Sequence, residues 1–240
     1  MALSRAAVLR GRGGTAALSA AAGGARWSAG AAGAPLPAGE ASPAEESASA
    51  PPPPRRDLSP ALAPGSARRR LLDEMLRVDH AGETGAVRIY EGQLAVLGGT
   101  AERDTLEEMA AHERAHLRKF EALLPRYRAR PTALLPLWEA AGFALGAGGA
   151  LLGKEGAHAV TKAVEEVITE HYNDQVRELR DAGFADEAEL RTVFRQFRDE
   201  EQAHLDTAVE RGADQAPMAQ AIQGAVKGAC KVAIWLSKRV

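Results

Sequence analysis

The chain has 240 residues, 45% of them apolar, with 30 basic and 32 acidic side chains, a net charge of −2 and a single cysteine. That composition is enough for one folded domain and an appendage, and it offers no basic surface for nucleic acid. One cysteine excludes an internal disulfide.

Residues 1–39 contain Arg5, Arg10, Arg12 and Arg26, no acidic residue, and otherwise mostly Ala, Gly and Ser. This is the profile of a mitochondrial transit peptide. The segment has no 18-residue apolar run, so it is not expected to anchor in a membrane. Residues 40–65 turn to Pro, Ala and Ser, with Pro51-Pro52-Pro53-Pro54 among them, and are expected to be a disordered linker. Residues 66–240 form the expected folded domain.

Within that domain the 3.6-residue period recurs and no alternating strand pattern stands out. A first helix is expected over about 66–97, with Leu72, Met75, Leu76, Asp79, Glu83, Ala86, Val87 and Tyr90 near one stripe. Gly98-Gly99 should stop it. A second runs over about 101–126, with Leu106, Met109, Glu113, His116, Phe120 and Leu123 inward. Residues 127–156 then cross to the next pair. Between Thr132 and Gly153 the only charged residue is Glu139. A third helix is expected over about 157–182, ending at Gly183. A fourth opens at Asp186-Glu187-Ala188-Glu189, a capping box with Asp as the cap, and ends by Gly212. A last one runs from about Asp214 to Ser237.

Glu113-Arg-Ala-His116 and Glu201-Gln-Ala-His204 repeat one motif 88 residues apart. Glu and His three apart on a helix share a face, so both side chains reach one metal ion. Upstream of each copy stands a Glu followed by Tyr at seven residues and Gln at ten: Glu83, Tyr90, Gln93 and Glu165, Tyr172, Gln175. Four glutamates and two histidines, contributed by two helix pairs, make a di-iron or di-manganese donor set. Burying four carboxylates among apolar side chains is ruinous without cations, and two divalent ions neutralise them. The candidate metal ligands are Glu83, Glu113, His116, Glu165, Glu201 and His204, with Glu113 and Glu201 as the bridging candidates. Glu107, Glu108, Glu166 and Glu200 are expected to be solvated acids. Glu200 lies four residues from His204, but its repeat equivalent is His112, which breaks the pattern. His158 has Leu76 as its counterpart and is not expected to ligate. His80 is expected either to support a ligand or to be exposed.

Asp79-His80-Ala81-Gly82-Glu83, Arg88-Ile89-Tyr90, Pro136-Leu137-Trp138, residues 142–148 and Phe197-Arg198-Asp199-Glu200-Glu201 resemble the mitochondrial 5-demethoxyubiquinone hydroxylase family. The resemblance covers residues 71–240. It implies an all-α, ferritin-like four-helix bundle built from two repeated helix pairs, with an apolar crossover helix and a C-terminal amphipathic helix. It implies the same six ligands, two iron ions per chain, and a second shell in which His171 and Tyr172 relay electrons. The implied reaction is O2-dependent hydroxylation of a polyprenylated 5-demethoxyubiquinol in coenzyme Q biosynthesis, with NADH or another donor as reductant. The implied place is the matrix face of the inner mitochondrial membrane, with a lipid-binding partner of the same biosynthetic complex. An iron-storage protein or a quinol oxidase would carry the same ligands, and a helical interaction module would need none.

The crossover is too short to span a bilayer: Ala140–Gly153 gives 14 unbroken residues against the roughly 20 required. Its apolar surplus is expected to face lipid, a partner or a second copy of the chain. In the last helix Met218, Ile222, Val226, Ala229, Ala233 and Leu236 share a face, while Lys227, Lys231, Lys238 and Arg239 are placed to meet anionic headgroups.

Overall fold

The 3.6-residue period is realised as six α-helices: α1 Ala67–Leu97, α2 Arg103–Tyr127, α3 Leu135–Leu151, α4 Lys154–Asp181, α5 Ala188–Glu210 and α6 Ala219–Ser237. The structure, a computed structural model, describes residues 63, 65–184 and 186–240. The leader expected over 1–39, and all but residues 63 and 65 of the linker, lie outside them. No strand occurs among the described residues.

Local chemistry sets most helix ends. The Ser66 hydroxyl caps α1 by accepting the Arg69 N–H at 3.2 Å. Gly153, at φ +96, turns the chain directly from α3 into α4, so α4 begins three residues before the expected start. The expected last helix splits. Pro217 holds Ala216 extended at ψ 143, leaving a 3-10 turn at Ala213–Gln215 before α6. The capping box at Asp186 does not form. Ala188 opens α5, Glu187 precedes it, and neither acid caps it through its side chain. Both are drawn across the bundle instead. Arg68 lies 2.7 Å from Asp186, and Glu187 accepts hydrogen bonds from Arg68 at 2.5 Å and from the Tyr127 hydroxyl at 2.9 Å. An ion pair with a largely buried guanidinium outcompetes a local N–H.

α1 pairs with α2, and α4 with α5, as two hairpins. One apolar layer draws Leu72, Leu76, Phe120, Leu123, Leu179, Leu190 and Phe194 from all four helices. A second, toward the other end, holds Leu97, Leu106, Met109 and Ala157. The candidate ligands fall between these layers.

α3 lies along α1 at backbone contact. A Cβ on Gly146 would stand 1.9 Å from the Ile89 carbonyl oxygen, one on Gly142 2.6 Å from that of Gly85, and one on Gly92 2.3 Å from that of Phe143. The buried stripe of α3 is therefore Gly142, Gly146, Gly149 and Ala150, while Leu137, Phe143 and Leu151 are exposed. α6 packs on α4 beside it. Of the expected stripe Val226 is buried and Ile222, Ala233 and Leu236 are half-buried, but Ala229 is exposed, Met218 precedes the helix at 78% exposure, and Gln223 and Ser237 are buried instead. Two of the four cations expected at headgroups are already engaged: Lys227 pairs with Glu166, and Lys238 lies 3.6 Å from Glu74. No helix among the described residues is long and apolar enough to cross a membrane.

Candidate metal centre

All six candidate ligands converge. Glu83, Glu113, His116, Glu165, Glu201 and His204 are each no more than 3% exposed. Ligand atoms of Glu83, Glu113, His116 and Glu201 lie within 4.8 Å of one another, and so do those of Glu113, Glu165, Glu201 and His204. Glu113 and Glu201 belong to both groups, so each group has two carboxylates in common with the other and one Glu and one His of its own.

The two halves of the repeat interlock. His116 Nδ1 of the first half lies 3.0 Å from Glu201 of the second, and His204 Nδ1 lies 3.0 Å from Glu113. The Tyr90 hydroxyl donates to Glu165 at 3.2 Å, and the Tyr172 hydroxyl donates to Glu83. Each tyrosine thus holds the lone glutamate of the other half, not the one seven residues before it. Burial and the neighbouring carboxylates push both phenols well above their usual range, so both remain donors.

Electrostatics make this layer costly as it stands. Burial, with Glu201 beside it, pushes the Glu113 carboxyl up to about 8. Burial also raises Glu83 and Glu165. Glu201 is buried as well, yet the imidazoles of His116 and His204 draw it down to about 2. Against their own burial, those imidazoles are raised to about 12 and about 11 by the carboxylates around them. Two imidazolium ions serve here as the counter-charge. Even so, Glu83 Oε2, Glu113 Oε1 and His116 Nδ1 are buried with only these charge contacts, none of them aligned as a hydrogen bond. Buried hard oxygen and imidazole donors converging in two overlapping groups fit a pair of divalent cations.

The sequence reading missed the support behind the histidines. Glu200, expected to be solvated, accepts from His116 Nε2 at 2.5 Å, and His112 Nδ1 lies 3.1 Å from His204 Nε2. Positions 112 and 200 are equivalent in the repeat, so each half supplies the brace for the other half's histidine. Such a contact fixes the ring and directs Nδ1 inward. The signal was present in the 88-residue offset, but it was weighed for ligation to the nearest histidine and not for contact across the bundle.

His171 does not touch the six residues. Its Nε2 lies 3.1 Å from Asp79 Oδ1 on α1, and its ring centroid is 6.3 Å from that of Tyr172. His80 is buried, and burial lowers its pKa. His158 sits toward the end of the bundle, 3.0 Å from Glu102.

A cavity of about 180 Å³ reaches this layer from outside. Gly82, Gly85 and Ala86 of α1 line one side, Trp138 and Leu145 of α3 and Cys230 and Ala233 of α6 line others, and Glu83, Glu113, Glu165 and Glu201 close its inner end. Trp138 Nε1 donates to Ser237 Oγ at 3.0 Å, linking α3 to the end of α6. The walls suit an apolar, ring-sized guest delivered to a carboxylate cluster.

Comparison with known proteins agrees over the same residues. The chain is 51% identical over 173 residues to a Dictyostelium discoideum protein named NADPH-dependent 3-demethoxyubiquinone 3-hydroxylase, mitochondrial, covering 72% of this chain and 79% of that one. It is 48% identical over 172 residues to the Homo sapiens protein of that name, with the same two coverages. It is 52% identical over 171 residues to the 3-demethoxyubiquinol 3-hydroxylase of Rhodospirillum rubrum, covering 71% of this chain and 79% of that protein. The family model described as ubiquinone biosynthesis protein COQ7 matches residues 70–237, a span that holds all six clustered residues, both tyrosines and the cavity walls, and the chain belongs to that family.

Proposed function

We propose that this protein hydroxylates the ring of a polyprenylated demethoxyubiquinol with O2, at two iron ions held by Glu83, Glu113, His116, Glu165, Glu201 and His204. The observation that carries this reading is an apolar cavity ending on four buried carboxylates and two histidines that form two overlapping donor groups. Iron bound there supplies oxygen activation and the accompanying electron transfer. The chain's own residues do the rest. Glu113 and Glu201, which belong to both donor groups, would help to hold both ions, Tyr90 and Tyr172 orient the lone glutamates by hydrogen bonds, and the walls of α1, α3 and α6 keep water from the reacting ring. His171 and Tyr172 lie beside the cavity, where they can serve electron delivery. The NADPH-dependent names of the relatives support a nicotinamide nucleotide as the external reductant.

The mitochondrial names of those relatives, with the Arg-rich and acid-free first 39 residues, support import into mitochondria. The exposed apolar residues of α3 and α6 support peripheral seating on the inner membrane, on its matrix face, where a long-tailed quinol resides. The same surface suits a lipid-binding partner protein or a second copy of the chain.

Product analysis with labelled oxygen tests the reading. Turnover should add one oxygen atom from O2 to the quinone ring. A Glu113→Ala/Glu201→Ala double variant should lose both iron and turnover. Reduction of O2 to water with no ring product would identify a quinol oxidase, and full iron in the double variant would remove the ligand assignment.

A further inference from the structure

Asp79 stands one helical turn before Glu83 on α1 and lines the same cavity. Its carboxylate is used unevenly. Oδ1 accepts from Gln175 Nε2 at 2.7 Å and lies 3.1 Å from His171 Nε2, while Oδ2 is buried with no hydrogen-bond partner. The residue is only 3% exposed, so bulk water does not solvate that oxygen. A buried carboxylate oxygen calls for a donor.

The walls around it say which donor fits. Gly82 lies between Asp79 and Glu83, lines the cavity, and has nothing within 4 Å of the position a Cβ would take; the same holds for Gly85 one turn on. A Cβ is sterically excluded at neither, although the Gly85 carbonyl itself faces Gly142, whereas Gly92 carries a backbone crossing that a Cβ would obstruct. They leave a flat bed beside Asp79 that leads toward the carboxylate cluster. One turn of helix is about 5.4 Å, close to the span of a six-membered ring. A ring lying on Gly82 can therefore place an oxygen at Asp79 and its far edge toward Glu83. His171 and Gln175 both engage Oδ1, which leaves Oδ2 as the oxygen without a hydrogen-bond partner.

We propose that Asp79 binds the ring hydroxyl of the substrate and thereby selects the quinol over the quinone. The inference rests on the proposed function, which takes the quinol as substrate, and adds the residue that selects it. A quinol brings an O–H to Oδ2. A quinone brings only a carbonyl, which sets lone pair against lone pair. A site that hydrogen-bonds a substrate hydroxyl rejects the analogue lacking it, because its own polar group is then left unpaired. The relatives' names include both the quinone and the quinol as substrate. Asp79 favours the second.

The test compares a short-tailed demethoxyubiquinol with its quinone under argon. Binding is measured to the zinc-loaded full chain, which exchanges no electrons with either. The parent should bind the quinol at least tenfold more tightly. Asp79→Asn keeps the shape and the acceptor facing Gln175 but turns the second oxygen into a donor, so the preference should vanish or invert. With iron, the same variant should raise KM for the quinol while iron content stays at the parent level. Equal affinity of the parent for both forms would overturn the assignment, as would an Asp79→Asn variant that weakens both forms alike, which is the signature of a merely structural carboxylate. The parent's ratio decides the matter even if the variant folds poorly. Hydroxylation of the analogue by the iron-loaded parent without any quinol preference removes only the role of Asp79, whereas no hydroxylation at all brings down the proposed function with it.

Discussion

His116 and Glu200 come from different halves of the repeat, yet their contact at 2.5 Å sets which imidazole nitrogen faces the cluster. Contacts of this kind commonly carry about 10–100-fold in metal affinity. Glu200→Ala should lower iron affinity by about that factor while leaving helix content and melting temperature near those of the parent. Chelator competition reads this directly, and unchanged affinity would reduce Glu200 to the solvated acid expected from its position. The metal-free centre also makes a pH prediction. His116 and His204, raised to about 12 and about 11, hold protons that an incoming cation must displace. Metal affinity should therefore rise with pH, by about tenfold per pH unit for each proton displaced. Calorimetry in buffers of different ionisation enthalpy should count the protons released. Release of none would mean that neither imidazole ligates.

At the scale of helices, the glycines of α1 and α3 divide into two kinds. Gly92, Gly142 and Gly146 let the two backbones touch, and a methyl group on Gly146 would collide with the Ile89 carbonyl. Gly146→Ala must push α3 off α1 and should cost about 1–3 kcal/mol, as overpacking does. Gly82 touches nothing at its Cβ position. Gly82→Ala should be neutral or stabilise by up to about 1 kcal/mol through helix propensity. Denaturant titration of the two variants should show opposite signs. Equal destabilisation would mean that Gly82 is also a packing residue and the bed beside Asp79 is not open.

For the molecule as a whole, the proposed membrane seating is tested through the apolar residues that face outward. Trp138 and Leu145 line the cavity and are half-buried, so they are not the outermost apolar residues of α3. Leu137 at 52% exposure, Phe143 at 38% and Trp235 at 54% are turned outward, and Arg239 stacks 4.1 Å over Trp235. Leu137→Ser/Phe143→Ser/Trp235→Ser should keep iron loading and turnover of a short-tailed quinol, but lose liposome binding and turnover of a long-tailed one. Each side chain withdrawn from lipid forfeits on the order of 1.5–3 kcal/mol. Undiminished liposome binding would overturn the proposed seating through this surface.

How far each level was legible follows from the range of the forces involved. Helix number and most helix faces were open to reading, because a 3.6-residue period and end signals such as Gly98 and Gly183 act within a few residues. The six candidate ligands could be picked out because the motif is duplicated, and their gathering between two apolar layers follows from faces that must be buried. Apart from the local shifts at Gly153 and Pro217, the failures involve partners far apart in sequence. Asp186 and Glu187 left the cap for Arg68, 119 residues from Glu187, and Tyr172 passed over its own half to reach Glu83. Glu200 became a brace only when α2 came to lie opposite α5. Asp79 was legible only as a residue on the inner stripe, and packing alone gave it a cavity wall and an unpartnered oxygen. Periodicity is local and survives in the sequence, whereas the choice among competing polar partners depends on which helices the buried apolar faces bring together.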